Sequence, residues 1–160
     1  MFDSDQLVFL LSDQLNASRD EETLFIGIQS SGVYVQDCIL EALNISGPKY
    51  SIGVGFHRDD FGIRGLAGNK QGAQMPPDVA SKHIVLIDDV IQSGRTARAA
   101  INVLFDYGRP ASIRLAVLID RGGRELPIEP QFCASRTDVD KHKRIEISPN
   151  AVGGLAINVA

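Results

Sequence analysis

The sequence predicts an α/β fold, with a mainly parallel central sheet flanked by helices in a single domain spanning residues 1–160. Three observations carry that expectation. The run Ile84–Ile87 is short, apolar and largely β-branched, as suits a strand covered on both faces. Similar runs at Leu24–Ile28 and Ile113–Ile119 alternate with helical patterns, the order expected of βαβ crossovers. A 160-residue chain that is 44% hydrophobic can bury one substantial core and is short for two.

Taken in order, residues 5–17 place Leu7, Leu10, Leu11 and Leu15 at helical spacing, with Ser4 as the expected cap. Leu24–Ile28 reads as a buried strand. The small polar turn Gln29-Ser30-Ser31-Gly32 leads into a helix over Val33–Leu43, which Asn44 and Gly47-Pro48 end. Tyr50–Phe56 reads as a further strand. Residues 61–80 are rich in Gly, Asn, Gln and Pro and lack hydrophobic periodicity, so they form either a functional lid or a plain linker. Ala97, Ala100, Ile101, Leu104 and Phe105 mark one face of a helix stopped at Gly108. Short strands near Arg144–Ile147 and Leu155–Val159 are expected to form an edge or a small hood.

Composition narrows the function classes. There is no run of eighteen apolar residues, so no membrane span is expected. The start, Met1-Phe2-Asp3-Ser4-Asp5, is acidic where a secretory signal would be basic. Cys38 and Cys133 lie far apart without a C-x-x-C spacing and read as free thiols, which together with the acidic start implies a cytoplasmic protein. The net charge of −4 conceals an asymmetry: residues 1–94 carry 6 basic against 13 acidic side chains, and residues 95–144 carry 10 against 6. A basic segment of this kind suits phosphate or RNA as readily as an ordinary solvated surface.

The chemistry concentrates in Ile84–Thr96, I-V-L-I-D-D-V-I-Q-S-G-R-T. Asp88 and Asp89 follow the apolar run, at the carboxyl end where open α/β sheets bind ligands. The turn Gln92-Ser93-Gly94-Arg95-Thr96 offers hydroxyls, backbone N–H groups and a helix N-terminus to a phosphate. One strand-loop-helix unit thus supplies acceptors for sugar hydroxyls beside donors for an anion. An ordinary βα turn capped by Asp89 would need far less of this sequence. A Walker A string is absent.

All thirteen residues of this stretch resemble the phosphoribosyl pyrophosphate (PRPP) motif of the type I phosphoribosyltransferases: four apolar residues, an acidic pair, two apolar residues, a variable one and a Ser-Gly-x-Thr turn. Three further strings, F-H-R-D-D-F (Phe56–Phe61), F-D-Y-G-R-P-A-S-I (Phe105–Ile113) and A-V-L-I-D-R-G-G-R-E-L-P-I (Ala116–Ile128), are similar to one branch, the PyrR family. That branch combines uracil phosphoribosyltransferase activity with nucleotide-dependent control of pyrimidine genes.

The resemblance implies a type I phosphoribosyltransferase fold with a hood and a flexible lid, and conversion of uracil and PRPP to UMP and pyrophosphate. It assigns Asp88 and Asp89, with Arg58, to catalysis. Val90, Ile91, Gln92, Ser93, Gly94, Arg95 and Thr96 are assigned to the 5-phosphate. Ser30, Ser31 and Gly32 fall in the pyrophosphate loop, which here lacks the basic residue many members carry. Arg58, Asp59, Asp60, Arg64 and Lys70 fall in the lid, and Ile119, Asp120 and Arg121 are assigned to the base from their place at a strand end alone. Mg²⁺ is expected to arrive with PRPP rather than on a protein cage. A homodimer or higher homo-oligomer is implied, and pyrimidine-operon mRNA is a candidate partner through Arg124, Arg136 and Lys141. The alternatives are a catalytically weak, UMP-sensing RNA attenuator and a purine phosphoribosyltransferase.

Overall fold

The computed structural model describes residues 2–55 and 74–160. Helix α1 (Ser4–Ser18) comes first, then strand β1 (Leu24–Ile28), helix α2 (Ser31–Ala42), strand β2 (Tyr50–Ile52), strand β3 (His83–Ile91), helix α3 (Arg95–Tyr107) and strand β4 (Ser112–Asp120). Strands β5 (Phe132–Arg136), β6 (Ile145–Pro149) and β7 (Leu155–Val159) complete the chain. Five strands form one sheet in the order β2-β1-β3-β4-β5, with every pairing parallel. Strands β6 and β7 pair antiparallel as a separate hairpin, the expected hood.

The core lies on both faces of this sheet, and the strand residues alternate between them. Val85 and Ile87 pack with Leu7, Leu11 and Leu15 of α1 and with Val35 and Ile39 of α2. Ile84 and Leu86 pack on the other side with Ala97, Ala100 and Leu104 of α3. That is why Ile84–Ile87 reads as an uninterrupted apolar run: a period of two with both sides covered leaves no polar position. Gln36 anchors α2 from within, its buried amide donating to the Phe25 carbonyl at 3.1 Å and the Tyr50 carbonyl at 2.9 Å.

Three sequence expectations are corrected, and one strand is not foreseen. The strand carrying the acidic pair does not stop at Ile87; β3 runs on to Ile91 because β4 is equally long and Asp88↔Val117, Val90↔Ile119 and Ile91↔Asp120 stay in register. A buried backbone needs such partners. Helix α1 is capped by Asp3, whose extended backbone lets its carboxylate accept from the Gln6 N–H at 3.1 Å, and Ser4 is already helical. Strand β2 ends at Ile52, short of the Phe56 boundary, which lies outside the described residues. The edge strand β5, Phe132–Arg136, escapes a hydrophobicity reading because Cys133, Ala134 and Ser135 are only partly buried there.

Strand order fixes where a ligand can sit. From β1 the chain moves outward to β2, then returns to β3 on the other side and continues to β4 and β5. The loops leaving β1 and β3 therefore diverge at a topological switch point, the crevice at which open parallel sheets take their ligands.

Candidate active site

A cavity of about 630 Å³ occupies that crevice. The loop after β1 contributes Ser30 and Ser31, α2 contributes Tyr34, and the end of β3 with its following loop contributes Asp88–Gly94. Thr96 and Ala97 of α3 close one wall. Across the opening stand Arg121 and the hood residues Arg144–Ser148 and Asn158.

Each wall has a local cause. Gly94 sits at φ +91°, a left-handed conformation open to glycine, and serves as the N-cap of α3. Helix α3 begins at the cavity, with Thr96 and Ala97 lining it, and a helix N-terminus carries N–H groups that find no acceptor inside the helix. Gly32 lets α2 approach the tip of β3: a Cβ there would stand 2.5 Å from the Ile87 carbonyl oxygen and 3.2 Å from Asp88 Oδ1. The two carboxylates are ordered by their own backbone. Asp88 Oδ1 accepts from the Asp89 N–H at 2.9 Å and Asp89 Oδ1 from the Val90 N–H at 2.8 Å. Asp88 is buried and Asp89 half-buried.

The residues assigned to catalysis, phosphate, pyrophosphate and lid, with Arg121, separate into three groups. Ser30, Ser31, Asp88, Asp89, Val90, Ile91, Gln92, Ser93, Gly94, Thr96 and Arg121 all line the one cavity. Gly32 and Arg95 stand just behind it. Gly32 is a packing surface, and the Arg95 guanidinium pairs with Glu125 at 2.8 Å while its N–H donates to Ser93 Oγ at 3.2 Å. Arg58, Asp59, Asp60, Arg64 and Lys70 lie outside the described residues.

The residues assigned to the base are placed differently from one another. Ile119 is fully buried in the core. The Asp120 carboxylate turns away from the cavity to Arg124, at 2.7 and 2.9 Å, and to Arg136 at 3.2 Å. Burial alone would raise the Asp120 pKa, but the Arg124 hydrogen bonds, the Gly122 N–H and the two guanidinium charges outweigh it and hold the carboxyl below its usual range. Arg121 is buried at the cavity wall, donating to the carbonyls of Lys143 at 2.8 Å and Asp140 at 3.0 Å. It thereby ties the end of β4 to the segment that enters the hood. The Arg124 guanidinium is engaged by Asp120, by Glu129 and by the carbonyls of Gln92 and Ile128, whereas Arg136 and Lys141 are exposed.

Tyr34, Ile145–Ser148 and Asn158 line the cavity without having been singled out by sequence. Only the pairing of β6 with β7 over α1 and α2 brings the hood residues there.

Comparison with known proteins agrees with this geometry. The phosphoribosyl transferase domain model matches residues 5–150. Proteins named bifunctional protein PyrR are 41% identical over 146 residues in Pseudomonas fluorescens and 42% identical over 147 residues in Pseudomonas syringae pathovar tomato. Each alignment covers 89% of this chain, with 87% and 86% of the relative. The chain belongs to the PyrR family of phosphoribosyl transferases. Its fold is shared more widely. A hypoxanthine-guanine phosphoribosyltransferase from Bacillus anthracis superposes with a TM-score of 0.68 at 12% identity, covering 89% of this chain and 84% of that one. A hypoxanthine phosphoribosyltransferase from Trypanosoma cruzi gives 0.63 at 13% identity, covering 98% and 94%. At such identities the PyrR-family chain shares their architecture, and base preference is a separate question.

Proposed function

We propose that this PyrR-family protein is a uracil phosphoribosyltransferase that converts uracil and PRPP to UMP and pyrophosphate. One observation carries the reading: a single cavity at the switch point joins the Asp88 and Asp89 carboxylates to a glycine-shaped, hydroxyl-bearing anion cradle. The 5-phosphate lies against the Ser93–Thr96 loop and the start of α3. The ribose hydroxyls face Asp88 and Asp89, and the leaving pyrophosphate lies toward Ser30 and Ser31.

Uracil N1 attacks the anomeric carbon as the bond from that carbon to the pyrophosphate oxygen breaks, the electron pair departing with pyrophosphate and the N1 proton leaving to solvent. Positive charge builds on the ribose ring in the transition state. Two fixed carboxylates under the ring stabilise that charge more than they stabilise the neutral ground state, which is what accelerates the step. The base edge faces the hood residues Arg144–Ser148 rather than Asp120, whose carboxylate is engaged elsewhere. Arg58, Arg64 and Lys70 retain their assignment to the departing pyrophosphate on sequence alone.

The residues present fit Mg²⁺ delivered with PRPP. Among the described residues no group of three or more His, Cys, Asp or Glu side chains could hold a metal. Two neighbouring carboxylates suit an ion that keeps its waters and takes substrate oxygens, supplying neutralisation of the pyrophosphate charge.

A second reading is favoured by the exposed Arg136, Lys141, Lys143 and Arg144 beside the hood and by the bifunctional name of the relatives. In it the protein also binds pyrimidine-operon mRNA, with UMP in the cavity tightening the complex. The enzyme reading is tested with PRPP, Mg²⁺ and labelled uracil, from which labelled UMP is expected; no UMP at saturating substrates rejects it. Hypoxanthine and guanine as competitors should leave UMP formation unchanged, and RNA binding should weaken with salt and strengthen with UMP.

A further inference from the structure

We infer that the Arg121–Leu126 segment after β4 is the buttress that aims the phosphate cradle, with Arg124 as its positioning residue; the inference rests on the phosphoribosyl reading of the cavity. Three donors of this segment hold two successive carbonyls of the cradle. Arg124 Nη1 donates to the Gln92 carbonyl at 3.1 Å. The Glu125 and Leu126 N–H groups donate to the Ser93 carbonyl at 2.9 and 3.2 Å.

In a trans peptide the C=O and the following N–H point in opposite directions. Among the described residues the one cis bond is Gln29–Ser30, so the 92–93 and 93–94 peptides are trans. Pulling the Gln92 and Ser93 carbonyls back toward the buttress therefore turns the Ser93 and Gly94 N–H groups the other way. Gln92, Ser93 and Gly94 line the cavity, and residues 122–128 do not. The other way is into the site. Two consecutive N–H groups converging on one point, with Gly94 at positive φ, make an anion-binding concavity.

Arg124 is itself fixed before it acts on the loop. Asp120 grips it through both carboxylate oxygens at 2.7 and 2.9 Å, and its Nε donates to the Ile128 carbonyl at 2.8 Å. Only a planar fork of several donors can serve Asp120, Ile128 and Gln92 at once; a lysine ammonium on a flexible stem cannot. Without that hold the 92–93 peptide is free to rotate, and a carbonyl lone pair turned toward the phosphate repels it.

The test compares Arg124→Met, Arg124→Lys and Glu129→Gln with the wild type. Glu129 also accepts from Arg124, at 3.1 Å, but its loss leaves the Asp120 and Gln92 bonds in place. Both Arg124 variants should raise the PRPP KM and the UMP Kd about tenfold, the size of losing a charge-assisted hydrogen bond. The uracil KM at saturating PRPP and kcat should stay within about threefold, and Glu129→Gln should leave all four within about twofold. Folded Arg124 variants with unchanged PRPP KM and UMP Kd overturn the inference. So does a parallel rise in the uracil KM, which marks a general loss of structure. Should Arg124→Met fail to fold, Arg124→Lys, which keeps the charge and the stem, decides alone. A wild type that binds no UMP removes the phosphoribosyl reading and this inference with it, whereas wild-type binding with indifferent variants removes the inference only.

Discussion

Replacing Gly32 by alanine probes the join between the Ser30–Gly32 loop and the acidic pair with a single carbon. The added Cβ would stand 2.5 Å from the Ile87 carbonyl oxygen, 3.1 Å from Asp88 Cα and 3.2 Å from Asp88 Oδ1. Two of these three atoms are backbone of a central strand paired on both sides, so no flexible side chain can yield. Helix α2 must withdraw instead, by roughly the 1 Å that separates 2.5 Å from an ordinary contact. Overpacking of this kind costs about 1–3 kcal/mol. For a domain of this size that lowers Tm by roughly 3–9 °C. The larger effect falls on activity. Ser30 and Ser31 move away from Asp88 and Asp89 with the helix, and a 1 Å misplacement of binding groups costs on the order of 100-fold in rate. Thermal unfolding and steady-state UMP formation measure the two quantities separately. A Gly32→Ala protein with wild-type Tm and wild-type kcat/KM would refute the close approach on which this geometry depends.

Other consequences follow from the same structure. Asp89→Asn keeps an oxygen for the Val90 N–H but removes charge from the ring, so kcat should fall on the order of 100- to 1,000-fold with Tm within about 2 °C; an active variant contradicts the assignment. The Asp120 carboxyl is held below its ordinary pKa, so its contribution to stability is complete above the unfolded-state value of about 3.9 and is lost as pH falls through the lower folded value. The stability gap between wild type and Asp120→Asn should accordingly be widest near neutrality and narrow below about pH 4 in denaturant titrations; a gap that widens on acidification would reverse the sign. Burial raises the pKa of Cys38 and of Cys133, so both thiols should alkylate more slowly than free cysteine at pH 7.5. Faster alkylation than free cysteine would contradict their environment.

The parts of this fold legible in sequence are those whose signal is local. Ile84–Ile87 and the alanine-rich face of α3 announce themselves because burial on both sides of a strand, or one side of a helix, leaves a periodic trace. The Gln92–Thr96 loop is legible for another reason, since a Ser-Gly-x-Thr turn close behind an acidic pair has few other uses. Strand β5 left no such trace: its half-buried Cys133-Ala134-Ser135 satisfies an edge position without apolar alternation. The extent of β3 beyond Ile87 depends on the length of β4, a property of a different segment.

The same division holds within the site. Ser30, Ser31 and Asp88–Gly94 meet at one cavity because each lies at or just past the carboxyl end of a parallel strand, whereas Arg144–Ser148 and Asn158 arrive there through a hairpin folding over the sheet and Tyr34 through the first turn of α2. Arg121, Arg124 and Arg136 are indistinguishable as letters. One ties the hood to β4, one donates to the Gln92 carbonyl, and one is largely exposed. Only partners at hydrogen-bond distance separate those roles.

The most direct measurement is a crystal structure of the protein grown with UMP. The phosphate should lie within hydrogen-bond distance of the Ser93–Thr96 backbone N–H groups, with the ribose hydroxyls against Asp88 and Asp89 and the pyrimidine beneath the hood. Density for UMP at any other position, with the cradle holding no phosphate, would contradict it.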